Sequence, residues 1–302
     1  MSPRAALQDP VFHAYLGIVL GLLLVAGTVL AVLQWGFRIE LGGVWKTYRS
    51  WLWMVPLVAL TIFAGRVAVA LGVAVIACLA AREFARVTGL DRDRRITGAV
   101  YVGIIAFGAA SLLEIDFGFV LALGLAVILV LPILRNRVQG AVRSMSLGIL
   151  AFLTLGWMFG HLGLLAQTYG SLCYVLFATE VNDVAAFTCG KMWGRHPLRS
   201  EISPRKTWEG ALGALLVSLA LPWGLHFSFP FFGPWQLLLA GLIVGIGAPL
   251  GDLLLSLLKR DLGAKDWSSA IPGHGGILDR IDSLIFVAPL FMLMAGYYYP
   301  GR

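Results

Sequence analysis

Charged residues are scarce in this sequence. Only 13% of its 302 positions are Asp, Glu, Lys or Arg, compared with about 25% in a typical soluble domain. Long polar segments are also missing. The longest polar stretch, 259–282, is short and lies between two apolar runs. We therefore expect no appended water-soluble domain within these residues.

Cysteine is equally scarce, with three residues in the chain. Cys78, Cys173 and Cys189 lie in apolar stretches and show neither metal-site spacing nor a disulfide framework. Basic tracts with interleaved aromatic residues outside the apolar runs, which are typical of nucleic-acid-binding proteins, are also absent. We predict three packing cysteines and no nucleic-acid partner, so the net charge of +7 needs another explanation.

Apolar sequence is what the chain has in abundance. Hydrophobic residues make up 59% of it, and a membrane-spanning helix needs about 17–25 mostly apolar residues in succession. The sequence therefore predicts an all-α fold, a polytopic integral membrane helical bundle of about ten transmembrane helices. The stretch on both sides of Arg66 is too long for one crossing and is expected to form two short helices. The predicted spans are 13–34, 51–65, 67–82, 97–113, 117–134, 146–166, 171–189, 209–227, 236–258 and 283–298.

Lys and Arg are concentrated in alternate connecting loops. Loops rich in these residues stay on the cytoplasmic side of a membrane. The pattern predicts a protein of a bacterial-type cytoplasmic (inner) membrane, with the basic loops in the cytoplasm and both termini outside. The basic loops are 35–50, 82–96, 135–145, 190–208 and 259–281.

Polar residues are distributed unevenly along the chain. Residues 171–282 contain nine of the sixteen acidic residues and every dense polar cluster. We predict that 1–170 forms an N-terminal membrane scaffold and 171–302 a C-terminal catalytic region, both within one integrated membrane domain.

The seventh predicted span carries three polar residues, Glu180, Asn182 and Asp183. At about 1.5 Å of rise per residue, Asp183 lies roughly 9 Å inside the cytoplasmic end of this helix. Ionisable groups within a membrane are costly and usually functional. We interpret the cluster as part of a substrate site, with a hydrogen-bonded clasp between helices as the alternative.

The loop after the seventh span combines helix-capping residues with cations. Ser203, which precedes Pro204, and Thr207 are candidate N-caps. Arg205 and Lys206 stand beside them, and a helix N-terminus next to fixed cations can bind an anion. The alternative is a capped loop that is basic only for membrane topology.

The ninth predicted span places Asp252, Ser256 and Lys259 on one helical face. A carboxylate in this position needs a cation, which is either Lys259 or a metal ion. The four glycines within 241–251 have the spacing of closely packed membrane helices.

The last polar stretch combines glycines, acids and cations. Gly273, Gly275 and Gly276 allow close approach of backbone to a ligand. Asp279 and Asp282 project from the same side of the helix that follows, and carboxylate oxygens favour Mg²⁺ over Zn²⁺. Acids mixed with cations suit a metal–polyphosphate site, whereas a solvated loop, the alternative, would not need this combination. The cations nearby are Lys259, Arg260, Lys265 and Arg280.

Two segments carry a resemblance to an enzyme family. SLLKRDLGAKDWSSAIPGHGGILDRIDS, 256–283, is similar to the signature of phosphatidate cytidylyltransferases. GKMWGRHPLRSEISPRKTWEGALG, 190–213, is similar to the Gly-Lys…Ser-Pro-x-Lys-Thr-x-x-Gly loop of the same family. The resemblance implies transfer of a cytidylyl group from CTP to phosphatidate, a membrane lipid, which gives CDP-diacylglycerol and pyrophosphate.

The resemblance also implies Mg²⁺ as cofactor, bound by Asp252, Asp279 and Asp282; a second cation and a homodimer stay open. His274 on its own is interpreted as a loop histidine that belongs to the signature and not as a metal ligand. The candidate catalytic residues are Asp252, Lys259, Arg260, Lys265, Asp266, His274, Asp279, Arg280 and Asp282. The candidate substrate-binding residues are Asn182, Asp183, Ser203, Lys206, Thr207, Gly273, Gly275 and Gly276.

The chain differs from the family pattern in two places. Glu180-Val-Asn182-Asp183 stands where a Trp-Gly-Ala-Asp type sequence is typical, and the helix 13–34 is additional. A nucleotidyltransferase acting on another lipid phosphate is therefore an alternative. An anion transporter is disfavoured, because it predicts interrupted helices in both halves, and the interruptions lie in the C-terminal third.

Overall fold

The computed structural model describes residues 1–37, 42–136, 138–270 and 275–298. Most of these residues are helical, which confirms the predicted all-α class. A π-helical turn, Phe152–Met158, joins two of the helices into one continuous segment. The helices are α1 (Pro3–Ala6), α2 (Pro10–Ala31), α3 (Gly42–Phe63), α4 (Arg66–Thr88), α5 (Arg94–Leu113), α6 (Phe117–Leu134), α7 (Ala141–Ala151), α8 (Phe159–Leu165), α9 (Tyr169–Trp193), α10 (Trp208–Gly224), α11 (Pro234–Asp261), α12 (Leu278–Ile281) and α13 (Leu284–Tyr298).

Eight helical segments of the described chain are long and apolar enough to cross a membrane, which supports an integral membrane protein with several spans. The other two predicted spans are helices as well, α3 and α10. Helix α10 has 17 residues, and α3 carries Lys46 and Arg49 near its start. Both are therefore less typical of a membrane span than the other eight. Those eight are Pro10–Gly36, Arg66–Thr88, Arg94–Leu113, Phe117–Leu134, Ala141–Leu165, Tyr169–Trp193, Pro234–Asp261 and Leu278–Tyr298.

The predicted break beside Arg66 is confirmed by the turn between α3 and α4. Gly65 in this turn has a φ of 97°, a conformation that glycine adopts at little cost. A Cβ at this position would also contact the Met1 carbonyl oxygen at 3.0 Å. Helix α3 begins at Gly42, before its predicted start, because Tyr48 packs on α2 and donates a hydrogen bond to the Leu23 carbonyl at 3.0 Å.

Successive long helical segments run in alternate directions, so the loops between them separate onto two faces. The Tyr169 hydroxyl donates to the Ser2 carbonyl at 3.0 Å, and the Arg66 backbone N–H donates to the Met1 carbonyl at 3.4 Å. The start of the chain and the first residues of α4 and α9 therefore lie on one face. The ends of α4, α9 and α11 lie on the other, which we call the polar face, and the described parts of all five basic loops lie there.

Buried aromatic rings and glycines hold the C-terminal helices together. The Tyr174 ring lies 5.0 Å from Phe229 and 5.5 Å from Phe291, between centroids. A Cβ at Gly241 would contact the Ser218 carbonyl at 2.6 Å, so α11 touches the backbone of α10. The predicted packing role of these glycines is confirmed, and the three cysteines are free thiols, as predicted.

A small hairpin follows α9 on the polar face: β1 (Pro197–Arg199) pairs antiparallel with β2 (Ser203–Thr207). Thr207 is the N-cap of α10, as predicted, because its hydroxyl accepts from the Gly210 N–H at 3.2 Å. The predicted helix start at Ser203 and Pro204 is wrong, since both residues lie in β2. The strand forms there because the Glu209 carboxylate accepts from the N–H groups of residues 195 and 196 and folds the segment back.

Candidate active site

Three carboxylates from distant parts of the chain lie together near the polar face. Asp183 belongs to α9, Asp252 to α11, and Asp282 lies between α12 and α13. We call these three residues the acid cluster, because each interacts electrostatically with the other two. Asp183 is exposed on the protein surface, whereas Asp282 is only 9% exposed. Like charges at short range disfavour one another, so the cluster favours a positively charged ligand.

Close helix packing brings the acid cluster together. A Cβ at Gly251 would collide with the Asp282 carbonyl oxygen, so glycine lets α11 approach the segment between α12 and α13. Ser283 links that segment to α9, because its hydroxyl donates to Asp183 Oδ2 at 3.1 Å. Its backbone N–H donates to Asp282 Oδ1 at 2.8 Å. One serine thus positions two of the three carboxylates.

The hairpin supplies a cation to the cluster. Lys206 of β2 forms an ion pair with Asp252 Oδ2, and the Ser256 hydroxyl donates to Asp252 Oδ1 at 3.1 Å. The sequence predicted Lys259 or a metal ion as the cationic partner of Asp252. In the structure, the side chain that pairs with Asp252 is Lys206. Arg280 is exposed and interacts electrostatically with Asp183 and Asp282. Two basic side chains therefore interact with the acid cluster.

Asp279 pairs with Lys259, whereas the sequence grouped it with Asp252 and Asp282 as a metal ligand; that metal role stays a prediction. Its Oδ1 accepts from Lys259 Nζ at 2.6 Å, and both side chains are nearly buried, at 8% and 11% exposure. Its Oδ2 accepts from the backbone N–H groups of Gly276 at 2.9 Å and Trp267 at 3.2 Å. Asp279 therefore joins Trp267 to Gly276 within the segment 262–277 between α11 and α12, which we call the signature loop.

Glu83 is a functional candidate that the sequence did not reveal. This side chain of α4 is 7% exposed and reaches the signature loop from the N-terminal half of the chain. Its Oε1 accepts from the Ser268 hydroxyl at 2.5 Å and from the Ile277 N–H at 3.0 Å, and its Oε2 accepts from the Leu278 N–H at 2.9 Å. The only signal in the sequence was an acid among apolar residues at the end of a span, next to a basic loop.

Gly276 packs directly against Glu83. A Cβ at Gly276 would approach Glu83 Oε2 to 2.6 Å, which is closer than a carbon and a carboxylate oxygen can lie. Gly275, beside it, has a φ of 79°, in the region where glycine is favoured. The two glycines let the loop pack closely on Glu83 and Asp279, and their predicted contact with a ligand stays a prediction.

We expect Glu83→Gln to loosen the signature loop. The Gln amide would turn an N–H₂ group toward a backbone N–H, so one of the loop's amides would lose its acceptor, and buried donors are costly to leave unpaired. Hydrogen exchange at the amides of Ile277 and Leu278 should become at least about tenfold faster. Glu201→Gln, which removes an exposed carboxylate from the hairpin, should leave these rates unchanged. Unaltered exchange in Glu83→Gln would remove the anchoring role.

Asn182 lies outside the site, although it was predicted to bind substrate. It is fully buried, and its Nδ2 donates to the Ser218 hydroxyl at 2.9 Å, within the contact between α9 and α10. This geometry matches the alternative of a hydrogen-bonded clasp. Ser203 and Thr207 also act structurally here, as a strand residue and a helix cap.

The remaining candidates lie around the end of α11. Arg260 Nε donates to the Ile202 carbonyl at 3.3 Å and ties α11 to the hairpin. Lys265 and Asp266 are exposed in the following loop. Gly273 and His274 lie outside the described residues.

The residues fit a metal ion that is shared with substrate, but not one enclosed by protein. Among the described residues, no group of three His, Cys, Asp or Glu side chains is close enough to hold a metal ion by itself. Mg²⁺ commonly binds one or two carboxylates and completes its shell with water and substrate phosphates. The oxygen-only donors of Asp252, Asp282 and Asp183 suit that arrangement.

The fold and the site together define a class: an integral membrane protein with an acid cluster and basic side chains at one membrane face. Residues 45–298 match the model of the cytidylyltransferase family, and the chain belongs to that family.

Similar proteins come from bacteria. The chain is 29% identical over 291 residues to the uncharacterized protein YnbB of Escherichia coli K12, which covers 93% of this chain and 97% of that protein. It is 38% identical over 164 residues to phosphatidate cytidylyltransferases of Staphylococcus haemolyticus and Staphylococcus aureus. Those alignments cover 53% of this chain and 62% of each enzyme, so the chain spans less than two thirds of the Staphylococcus proteins.

Proposed function

We propose that this protein transfers a cytidylyl group from CTP to phosphatidate, with Mg²⁺, and releases CDP-diacylglycerol and pyrophosphate. The observation that carries the proposal is the acid cluster beside Lys206 at the polar face. Acids and cations at this position can hold a metal-bound triphosphate next to a lipid headgroup. Membership of the cytidylyltransferase family and the names of the Staphylococcus relatives support the same reaction.

The chemistry requires positioning more than acid–base catalysis. A phosphate oxygen of phosphatidate attacks the α-phosphorus of CTP, and the bond from that phosphorus to the β-phosphate bridging oxygen breaks as pyrophosphate leaves. A phosphate monoester has a second pKa near about 6 and is largely a dianion at neutral pH, so the nucleophile needs no strong base. The main obstacle is repulsion between two polyanions, which fixed cations and in-line alignment relieve.

The residues have separable roles in this proposal. Mg²⁺ bound by one or two carboxylates of the acid cluster (Asp183, Asp252 and Asp282) and by the CTP phosphates would neutralise phosphate charge. Lys206 lies against Asp252, where its ammonium can bind triphosphate oxygens. The exposed guanidinium of Arg280 interacts with Asp183 and Asp282, and there it can bind the lipid phosphate or the leaving pyrophosphate.

The membrane geometry suits these two substrates. CTP is water-soluble, and phosphatidate stays in its leaflet, so the site has to lie where both can reach it. We propose that the polar face is the cytoplasmic face of the bacterial inner membrane, because it carries the basic loops.

Cysteine labelling tests this orientation. Arg199→Cys, on the hairpin, should react with a membrane-impermeant maleimide in inverted membrane vesicles and stay unlabelled in right-side-out vesicles. Gln167→Cys, in the exposed turn before α9 on the opposite face, should give the reverse pattern. The unmodified chain, with its three native cysteines, gives the background. Labelling of residue 199 only in right-side-out vesicles would contradict the proposed orientation.

A direct assay tests the reaction. Purified protein in detergent is incubated with labelled CTP, Mg²⁺ and phosphatidate, and the lipid fraction is analysed for a CDP-lipid. Parallel reactions contain a polyprenyl phosphate or lysophosphatidate as acceptor, because the sequence left another lipid phosphate open. We expect CDP-diacylglycerol as the main product. Folded protein that gives no CDP-lipid from phosphatidate at any metal concentration would contradict the proposal, and product from another acceptor alone would change the substrate.

A further inference from the structure

A groove opens between the end of α2 and the start of α3, away from the acid cluster. Its volume is about 890 Å³, within the range of about 300–1,000 Å³ that is usual for small-molecule sites. Three of its lining residues are tryptophans, and two are basic. The lining residues are Gln34, Trp35, Gly42, Trp45, Lys46, Arg49, Ser50, Trp53 and Met54.

The helices that form the groove are fixed against each other. The Tyr48 hydroxyl donates to the Leu23 carbonyl at 3.0 Å. It also packs against Gly27, where a larger residue would collide with it. The Trp45 ring lies edge-on to Tyr48, with centroids 5.6 Å apart and an interplanar angle of 83°. The indole of Trp45 is therefore held in one orientation, and the groove is a built feature of the α2–α3 contact.

Two buried polar atoms of groove residues lack a hydrogen-bond partner within the described part of the chain. Trp45 Nε1 is a hydrogen-bond donor and Gln34 Oε1 an acceptor, and neither has a partner among the residues that the structure describes. Leaving a buried donor or acceptor unpaired is costly, and native proteins rarely do so. A ligand that offers both an acceptor and a donor would satisfy both atoms at once.

Charge and position identify the ligand's chemistry. Lys46 and Arg49 lie one helical turn apart, both exposed, on the rim of the groove. The start of α3 and the end of α2 lie on the polar face, where the basic loops are. Tryptophan and basic residues together are typical of the depth at which lipid headgroups lie.

We propose that this groove binds the phosphate headgroup of an anionic phospholipid from the leaflet of the polar face. Lys46 and Arg49 bind the phosphate charge, and Trp45 Nε1 donates to a phosphate oxygen. Gln34 Oε1 accepts a hydrogen bond from a headgroup hydroxyl, while the acyl chains stay in the bilayer along Trp53. Gln34 and Trp35 precede the segment that matches the family model, 45–298, so the site combines the additional first helix with the first helix of the family. It does not depend on the proposed reaction.

Native mass spectrometry of the purified full chain tests the site. The protein is reconstituted in nanodiscs that contain equal parts of phosphatidylglycerol, phosphatidate and phosphatidylcholine, and the lipids retained after release are counted. We expect retention of an anionic lipid over phosphatidylcholine. Trp45→Phe, which removes only the N–H, should lower retention about tenfold, since one hydrogen bond to a charged group is lost. The double variant Lys46→Gln/Arg49→Gln should lower it further.

The control removes two exposed cations from another place on the polar face, Arg94→Gln/Arg95→Gln, and should retain lipid as the unaltered protein does. Retention of both anionic lipids supports a site for bulk anionic phospholipid, and retention of phosphatidate alone supports the same site with the substrate lipid as occupant. Equal retention of phosphatidylcholine overturns the proposal, as does unaltered retention in both groove variants.

Discussion

Replacing Asp282 with Asn is expected to lower turnover of CTP and phosphatidate at least about 100-fold, because the proposed site loses a carboxylate that would hold Mg²⁺ at the reacting phosphates. The side chain keeps its size and its contact with the Ser283 N–H, so the backbone around it should not change. The measurement is the initial rate of CDP-lipid formation at saturating Mg²⁺. Asp261→Asn, which removes an exposed acid at the end of α11, is the matched control and should keep the normal rate.

The same substitution should not destabilise the protein. In chelator, burial and the nearby Asp252 and Asp183 disfavour a charge on Asp282, and Asn puts a neutral group of the same size in its place. The thermal unfolding midpoint in detergent with EDTA should therefore equal or exceed that of the unaltered chain. An Asp282→Asn protein that is both active and less stable would show that this carboxylate is structural.

Replacing Asp279 with Asn is expected to have the opposite effect on stability, although the two aspartates belong to one motif. It breaks the nearly buried ion pair with Lys259 and leaves the ammonium without its partner, which typically costs about 3–5 kcal/mol. The unfolding midpoint should fall by several degrees. Turnover should fall as well, because the signature loop loses the carboxylate that joins Trp267 to Gly276.

A double substitution separates the ion pair from other effects. Lys259→Met/Asp279→Asn removes both partners and should recover part of the lost stability, since no buried charge is left unpaired. Lys265→Met, at an exposed position in the loop after α11, controls for loss of a cation. If Asp279→Asn were as stable as the unaltered chain, the ion pair would contribute nothing and its assignment as a structural anchor would be wrong.

Sequence patterns predicted the membrane class and the positions of most helices well, because both depend on the local run of apolar residues. The division at Gly65 follows from the length of the apolar stretch around Arg66, and the packing role of the glycines in α11 follows from their spacing. The start of α3 at Gly42 was missed, because residues 42–50 become helical through contacts with α2 that local hydropathy does not reveal.

The candidate site was only partly predictable, because spacing within a motif does not determine which side chains meet. Asp279 and Asp282 lie three residues apart, yet Asp282 faces Asp252 while Asp279 faces Lys259. That choice depends on Gly251, which admits the Asp282 backbone to α11. Lys206, which pairs with Asp252, lies in β2. The sequence of this segment predicted the start of a helix instead of a strand.

Glu83 illustrates the same limit over a longer distance. It lies almost 200 residues before the signature loop in the sequence, and one acid at the end of a span carries no pattern of its own. Its three hydrogen bonds to the loop exist only because α4 packs beside α12 in the folded chain. The division of the chain at residue 170 stays a prediction, but this contact connects the two predicted regions at the site.

Binding of Mn²⁺ in the presence of CTP, followed by electron paramagnetic resonance, tests the central claim most directly. Mn²⁺ prefers the same oxygen ligands as Mg²⁺, and the measurement does not depend on turnover. We predict that Asp183→Asn, Asp252→Asn and Asp282→Asn each weaken Mn²⁺ binding at least about tenfold, whereas Asp279→Asn, measured at a temperature where it is folded, binds normally. Lost binding in Asp279→Asn together with normal binding in Asp183→Asn would contradict the acid cluster as the metal site.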